Sequence, residues 1–88
     1  MINSVSLEGE VTKIKNSRFL FVFSIKTDKD KTFDVLCSEY AKKQARKRMQ
    51  ENCFVRINGE LEQAISTGRV YIYAENILFL SGEENKGE

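Results

Sequence analysis

The sequence predicts a small all-β barrel of five strands with one helix between strands three and four. Three observations carry that reading. Five stretches alternate apolar and polar residues with the two-residue period of strands. Gly9 and Gly59 each fall on the apolar parity in mid-strand, where glycine marks a bulge, a bend or a close backbone approach, and a small barrel needs bent strands. Only one stretch, Tyr40 to Gln50, switches to helical spacing, and it lies between the third and fourth strand patterns.

The elements follow in order. From Ser4 to Lys15, Val5, Leu7, Gly9 and Val11 share one parity, and Ser6, Glu8, Glu10 and Thr12 share the other. Ile14 falls out of phase, which predicts a bulge near Lys13. Asn16-Ser17 reads as a tight turn. The second strand runs from Arg18 to Thr27, with Phe19, Phe21, Phe23 and Ile25 inward and Leu20, Val22, Ser24 and Lys26 outward. Asp28 to Lys31 is a solvated hairpin loop. Thr32 to Cys37 returns as strand three, with Phe33, Val35 and Cys37 inward.

Ser38 or Glu39 can cap the helix. Ala41, Ala45 and Met49 recur every four residues, a narrow stripe whose small members allow close packing, and Lys42, Lys43, Arg46, Lys47 and Arg48 cover the rest. Asn52 suits the left-handed position that ends a helix. In the fourth strand, Cys53 to Leu61, Val55, Ile57, Gly59 and Leu61 point inward against Arg56, Asn58 and Glu60. Ser66-Thr67-Gly68 is the next hairpin tip. Strand five runs from Arg69 to Ala74, with Val70, Ile72 and Ala74 inward and Tyr71 and Tyr73 outward. Glu75-Asn76 breaks its phase, and Ile77 to Leu80 is apolar on both faces. This β-β-β-α-β-β order is the layout of the oligonucleotide/oligosaccharide-binding (OB) fold.

With 88 residues there is room for one domain, expected at 1–80, followed by a disordered polar tail at 81–88. No window is long and apolar enough to span a membrane, and no signal core follows Met1, so a cytoplasmic location and no membrane partner are expected. Net charge is +1. The tail carries −2, which leaves the body mildly basic at +3. Cys37 and Cys53 lack metal-type spacing, and the chain has no histidine, so no metal or other cofactor is expected. Serine and cysteine lack a base, there is no glycine-rich phosphate loop, and the carboxylates show no paired spacing. The chain reads as a non-enzyme.

The residues Met1-Ile2-Asn3-Ser4-Val5-Ser6-Leu7-Glu8-Gly9-Glu10-Val11 resemble the start of bacterial single-stranded DNA-binding proteins. The helix running into Val55 to Leu61, and the strand of Arg69, Val70, Tyr71 and Ile72 leading to Phe79 and Leu80, resemble the same family. Ala74 to Leu80 is similar to the last strand of a relative, primosomal replication protein N. The likeness spans roughly residues 1 to 80. It implies single-strand binding on the outer face of the barrel, with bases stacked on aromatics and phosphates held by lysine and arginine. At two places where family members often carry aromatics, this chain has Thr32 and Ser38. It also lacks the long acidic tail with an apolar tip, which points to a specialised relative.

The expected nucleic-acid contacts are Tyr71 and Tyr73 for stacking, and Lys13, Lys15, Arg18, Lys26, Arg56 and Arg69 for phosphates. The expected partner is single-stranded DNA, with RNA open, in replication, recombination or repair. Leu20, Val22, Leu36 and Leu78 leave apolar surface outside one small barrel, which predicts a homo-oligomer, dimer or tetramer. Near-zero charge and the missing aromatics support an alternative, a protein-interaction subunit of a replication or primosome assembly. The basic helix reads first as a solvated face.

Overall fold

The structure, a computed structural model, describes residues 4–80. Its elements are β1 (Ser4–Asn16), β2 (Phe21–Lys26), β3 (Thr32–Cys37), α1 (Glu39–Arg48), β4 (Phe54–Gln63) and β5 (Val70–Phe79). The strands close into one barrel in the order β1-β2-β3-β5-β4. All neighbours are antiparallel except β3 and β5, whose short parallel pairing, Val35↔Ile72 to Cys37↔Ala74, completes the circle. This is the OB fold. The 81–88 tail lies outside the described residues.

β1 serves both halves of the barrel. Ser4 to Glu10 pair with β4, and Glu10 to Asn16 pair with β2. The hand-over occurs at Glu10, next to Gly9, where a Cβ would meet the Lys26 carbonyl oxygen and, at 2.9 Å, Ile25 Cγ1. The expected phase break is a bulge: Val11 faces Ile25 and Lys13 faces Ser24, which leaves Thr12 as the extra residue. The break at Glu75-Asn76 is a second bulge. Asn58 faces Asn76 and Gly59 faces Ala74, so Glu75 is extra.

The inward parities form the core: Val11, Phe21, Phe23, Ile25, Val35, Val55, Ile57, Ile72, Ala74 and Ile77 are each at most 2% exposed. Phe21 and Phe23 meet edge to face at 6.4 Å. Burial pushes the Cys37 thiol up to about 12, with the charge of Lys42 pulling weakly the other way.

Ser38 caps α1 by accepting a hydrogen bond from Ala41 N at 3.2 Å. Glu39 in the first turn and Arg46, Lys47 and Arg48 in the last complement the helix dipole. The helix stops at Arg48, two residues earlier than its spacing suggests, because Met49 is already extended. Asn52 does take a left-handed backbone (φ 74°), but in the turn that follows rather than at the helix end. That turn is tied to β1: Asn52 N donates to Val11 O and Val11 N to Cys53 O. Ala41 and Ala45 are buried, so the helix lies close enough for Gln44 Oε1 to accept from Ile77 N of β5 at 3.0 Å.

Three expectations for the core fail. Leu61 is 40% and Val70 58% exposed, because both lie where β4 and β5 run out towards their hairpin tip. Phe19 is 72% exposed. β2 begins at Phe21, and residues 17–20 form a loop closed by Ser17 N donating to Leu20 O at 2.9 Å. The parity run that placed Phe19 inward continues past the point where the backbone leaves the sheet.

Candidate nucleic-acid interface

The registers of β1, β2, β3 and β5 place outward side chains in rows across one wall of the barrel. Lys15 stands opposite Val22, Val22 opposite Leu36, and Leu36 beside Tyr73. Val22, Leu36 and Tyr73 are half-buried, so this row is a shallow apolar floor with a lysine at one end. In the next row Lys13 stands opposite Ser24, and Ser24 opposite Asp34. Ser24 Oγ donates to Asp34 Oδ1 at 3.3 Å, and Arg69 reaches Asp34 Oδ2 at 3.5 Å. Tyr71, two residues before Tyr73 on the same side of β5, is also half-buried and lies opposite Glu62 of β4. Lys26 lies between Glu10 and Thr32 in the third row and forms an ion pair with Asp30 at 3.3 Å.

The wall therefore gathers Lys13 and Lys15 of β1, Lys26 of β2, Tyr71 and Tyr73 of β5, and Arg69 just before β5. Arg18 sits in the β1–β2 loop at the end of the wall, with its guanidinium 5.8 Å from the Phe19 ring. Arg56 does not join them. It projects from β4 on the opposite wall, between Glu8 of β1 and Leu78 of β5, and it is ion-paired with Glu8. The alternation that marked Arg56 as outward carries no information about which wall it faces.

The four residues expected at an oligomer interface also separate. Val22 and Leu36 are neighbours on the tyrosine wall. Leu20 is 53% exposed in the β1–β2 loop, and Leu78 is 48% exposed on the Arg56 wall. They do not make one patch. Thr32 lies opposite Lys26 at the edge of the wall, and the Ser38 side chain caps α1.

Sequence reasoning missed two features. Phe19 is a large exposed ring beside the wall. Lys42 and Arg46 of the basic helix turn towards the β1–β2 loop, at sequence separations of 23 to 30, and hydrogen-bond to it. A four-residue loop after the Asn16-Ser17 turn signal would have released Phe19 from the core. Nothing local marks the helix contacts. Among the described residues, no group of three histidine, cysteine, aspartate or glutamate side chains is placed to hold a metal ion. No helix there is long and apolar enough to cross a membrane.

No model of a known protein family matches the chain, and no curated protein matches it in sequence. Solved structures do resemble it. The Stn1–Ten1 complex of S. pombe superposes with a TM-score of 0.77 at 16% identity, covering 98% of this chain and 64% of that one. The mitochondrial single-stranded DNA binding protein Rim1 of S. cerevisiae superposes with TM-scores of 0.76 and 0.75 in two crystal forms. Identity there is 11% and 10%, with 91% of this chain and 95% and 94% of that one covered. At these identities the likeness is one of backbone course: the chain shares the OB fold of these proteins.

Proposed function

We propose that this protein binds single-stranded DNA with little sequence preference across the β2–β3–β5 wall. The observation that carries this reading is the row Lys15–Val22–Leu36–Tyr73, with Tyr71, Lys13 and Arg69 beside it. An unpaired base offers a flat apolar face, and the tyrosines with Leu36 and Val22 offer a matching floor. Lysines on the β1 side and Arg69 on the β5 side can meet the phosphates. The floor is built of rings and aliphatic groups rather than donors fitted to base edges, so it accepts any base. A duplex hides its base faces inside the stack and cannot use such a floor. The low body charge implies only a few phosphate contacts.

In this reading the protein works in replication, recombination or repair in the cytoplasm, as a dimer or tetramer. The fold shared with Rim1, whose name states single-stranded DNA binding, supports it. A second reading has one specific observation in its favour. Asp34, held between Ser24 and Arg69, puts a carboxylate at the middle of the wall, where a phosphate is repelled and a basic protein side chain is welcome. There the wall docks a protein of a replication or primosome assembly.

Fluorescence anisotropy of a labelled oligo-dT, at two salt concentrations and with unlabelled duplex as competitor, separates the two. The first reading predicts binding that salt weakens and duplex does not displace. Each phosphate contact should contribute about −0.7 to the slope of log affinity against log salt. Absence of binding at low salt leaves the assembly reading.

A further inference from the structure

We propose that Asp34 makes the wall prefer, at one nucleotide, a base that carries an exocyclic amino group over thymine. This rests on the single-strand reading above and refines it: the floor accepts any base elsewhere, and one position discriminates.

A carboxylate is out of place on a surface that serves phosphates alone. Asp34 lies inside the wall, between Ser24 of β2 and Arg69, in the row that Lys13 opens. There it repels the phosphates that the surrounding cations attract. Stability does not account for it. Its pair with Arg69 spans 3.5 Å, the two side chains are 48% and 76% exposed, and pairs of that kind contribute little. The carboxylate is nevertheless oriented from two sides. Ser24 Oγ donates to Oδ1 at 3.3 Å, and Arg69 Nη2 donates to Oδ2 at 3.5 Å. An ionised carboxylate has about four acceptor positions, so these donors leave about two open.

The register says what meets them. Asp34 and Leu36 are two residues apart on β3, so they share one side of the strand at a spacing of about 7 Å. A base lying on Val22, Leu36 and Tyr73 therefore turns an edge towards the carboxylate. An acceptor-only group sorts bases by what that edge carries. Cytosine presents the N4 amino group, which donates to an open carboxylate oxygen. Adenine and guanine also carry an amino group. Thymine presents the O4 acceptor where cytosine has N4, and two acceptors repel each other. Cytosine and thymine are alike in size, so the pair isolates this contact. A good bidentate contact to a base edge discriminates by about 1–3 kcal/mol, and a half-exposed carboxylate belongs at the lower end, about 5-fold in affinity.

The test is an anisotropy titration of the full chain with oligo-dC and oligo-dT of equal length, at mildly alkaline pH where cytosine is unprotonated. The wild type should bind oligo-dC about 5-fold more tightly. Oligo-5-methyl-dC, which has the methyl of thymine and the amino group of cytosine, should bind like oligo-dC. Asp34→Asn should keep the wild-type circular dichroism spectrum and bind both oligomers more tightly, because a repelling charge is gone. Its ratio should fall to about one or reverse, since the new amide can donate to thymine O4. Asp34→Ala should bring the ratio to about one. A purely structural role for the Ser24–Asp34 contact moves both affinities together and leaves their ratio unchanged. A ratio unchanged in Asp34→Asn, or a wild type that binds the two within twofold, overturns this inference and leaves the single-strand reading standing. Oligo-rU that outbinds oligo-dT in the wild type but not in Asp34→Asn assigns the carboxylate to the ribose hydroxyl and overturns it too. A wild type that binds neither oligo-dC nor oligo-dT overturns both.

Discussion

Replacing Gly59 with alanine should be among the most damaging small changes in this chain. Gly59 faces Ala74 at the point where β5 carries its extra residue, Glu75. A Cβ there would run into the carbonyl oxygen of Tyr73, with Ala74 Cα and Tyr73 C both at 2.9 Å. All three are backbone atoms, so no side chain can rotate out of the way. The β4 and β5 backbones would have to separate in the middle of their ladder. Overpacking costs about 1–3 kcal/mol, and a clash with backbone belongs at the upper end. Stabilities of about 0.05–0.15 kcal/mol per residue make about 3 kcal/mol a large share of the total. In a domain of this size it lowers the melting temperature by roughly 12–24 °C. Thermal unfolding followed by circular dichroism reads this directly. The control is Gly68→Ala. Gly68 has a left-handed backbone (φ 74°), and the nearest atom to its Cβ is Gln63 Nε2 at 4.0 Å. That variant bears only the conformational cost of about 1–2 kcal/mol. A Gly59→Ala protein no less stable than Gly68→Ala would refute the close-approach account. Because the carbonyl that must move belongs to Tyr73, the variant should also weaken oligo-dT binding at temperatures where it is folded.

Other expected outcomes concern the wall, the cap and the buried thiol. Tyr71→Ala/Tyr73→Ala should lose about 2–6 kcal/mol of single-strand affinity in an anisotropy titration, at about 1–3 kcal/mol per stacked base, while its circular dichroism spectrum stays that of the wild type. Arg56→Ala should leave affinity within twofold and cost no more than about 1 kcal/mol of stability, since its pair with Glu8 is half exposed and on the other wall. Ser38→Ala should cost about 1 kcal/mol through loss of the helix cap, read as a drop of roughly 4–8 °C in melting temperature. Cys37 has its thiol raised from 9.0 to about 12 by burial, so the folded state holds the proton that the unfolded state releases. That advantage is complete below pH 9 and is lost as pH rises towards 12. Wild-type stability should therefore fall more steeply over that window than that of Cys37→Ala, compared by urea unfolding at matched pH.

Much of the fold was legible because it rests on local parity. Gly9 and Gly59 on apolar positions marked the two tight approaches, and the broken phase at Ile14 and at Glu75-Asn76 marked both bulges. Ser38 was legible as a cap, since a serine before a helical run has a known use. Phe19 was not legible. Parity continues through Phe19, Phe21 and Phe23 whether or not the backbone is still in the sheet, and only the hydrogen bond from Ser17 to Leu20 ends the strand. The parallel β3–β5 closure was equally hidden, because it joins Val35 to Ile72 across the helix and β4. At the site, parity told Tyr71 and Tyr73 to face outward but not which wall they share. Lys13 and Lys15 join them through register, while Arg56, with the same outward parity, is sent to the opposite side. The basic helix looked like a uniform solvated face, yet Lys42 and Arg46 find carbonyls that local sequence does not reveal.

The most direct test of the central claim is an amide chemical-shift map of the protein titrated with oligo-dT. The account predicts shifts concentrated at Lys13, Lys15, Arg18, Val22, Leu36, Tyr71 and Tyr73, with Arg56 and Leu78 silent. Shifts concentrated on the Arg56–Leu78 wall, or spread evenly over both, would contradict it.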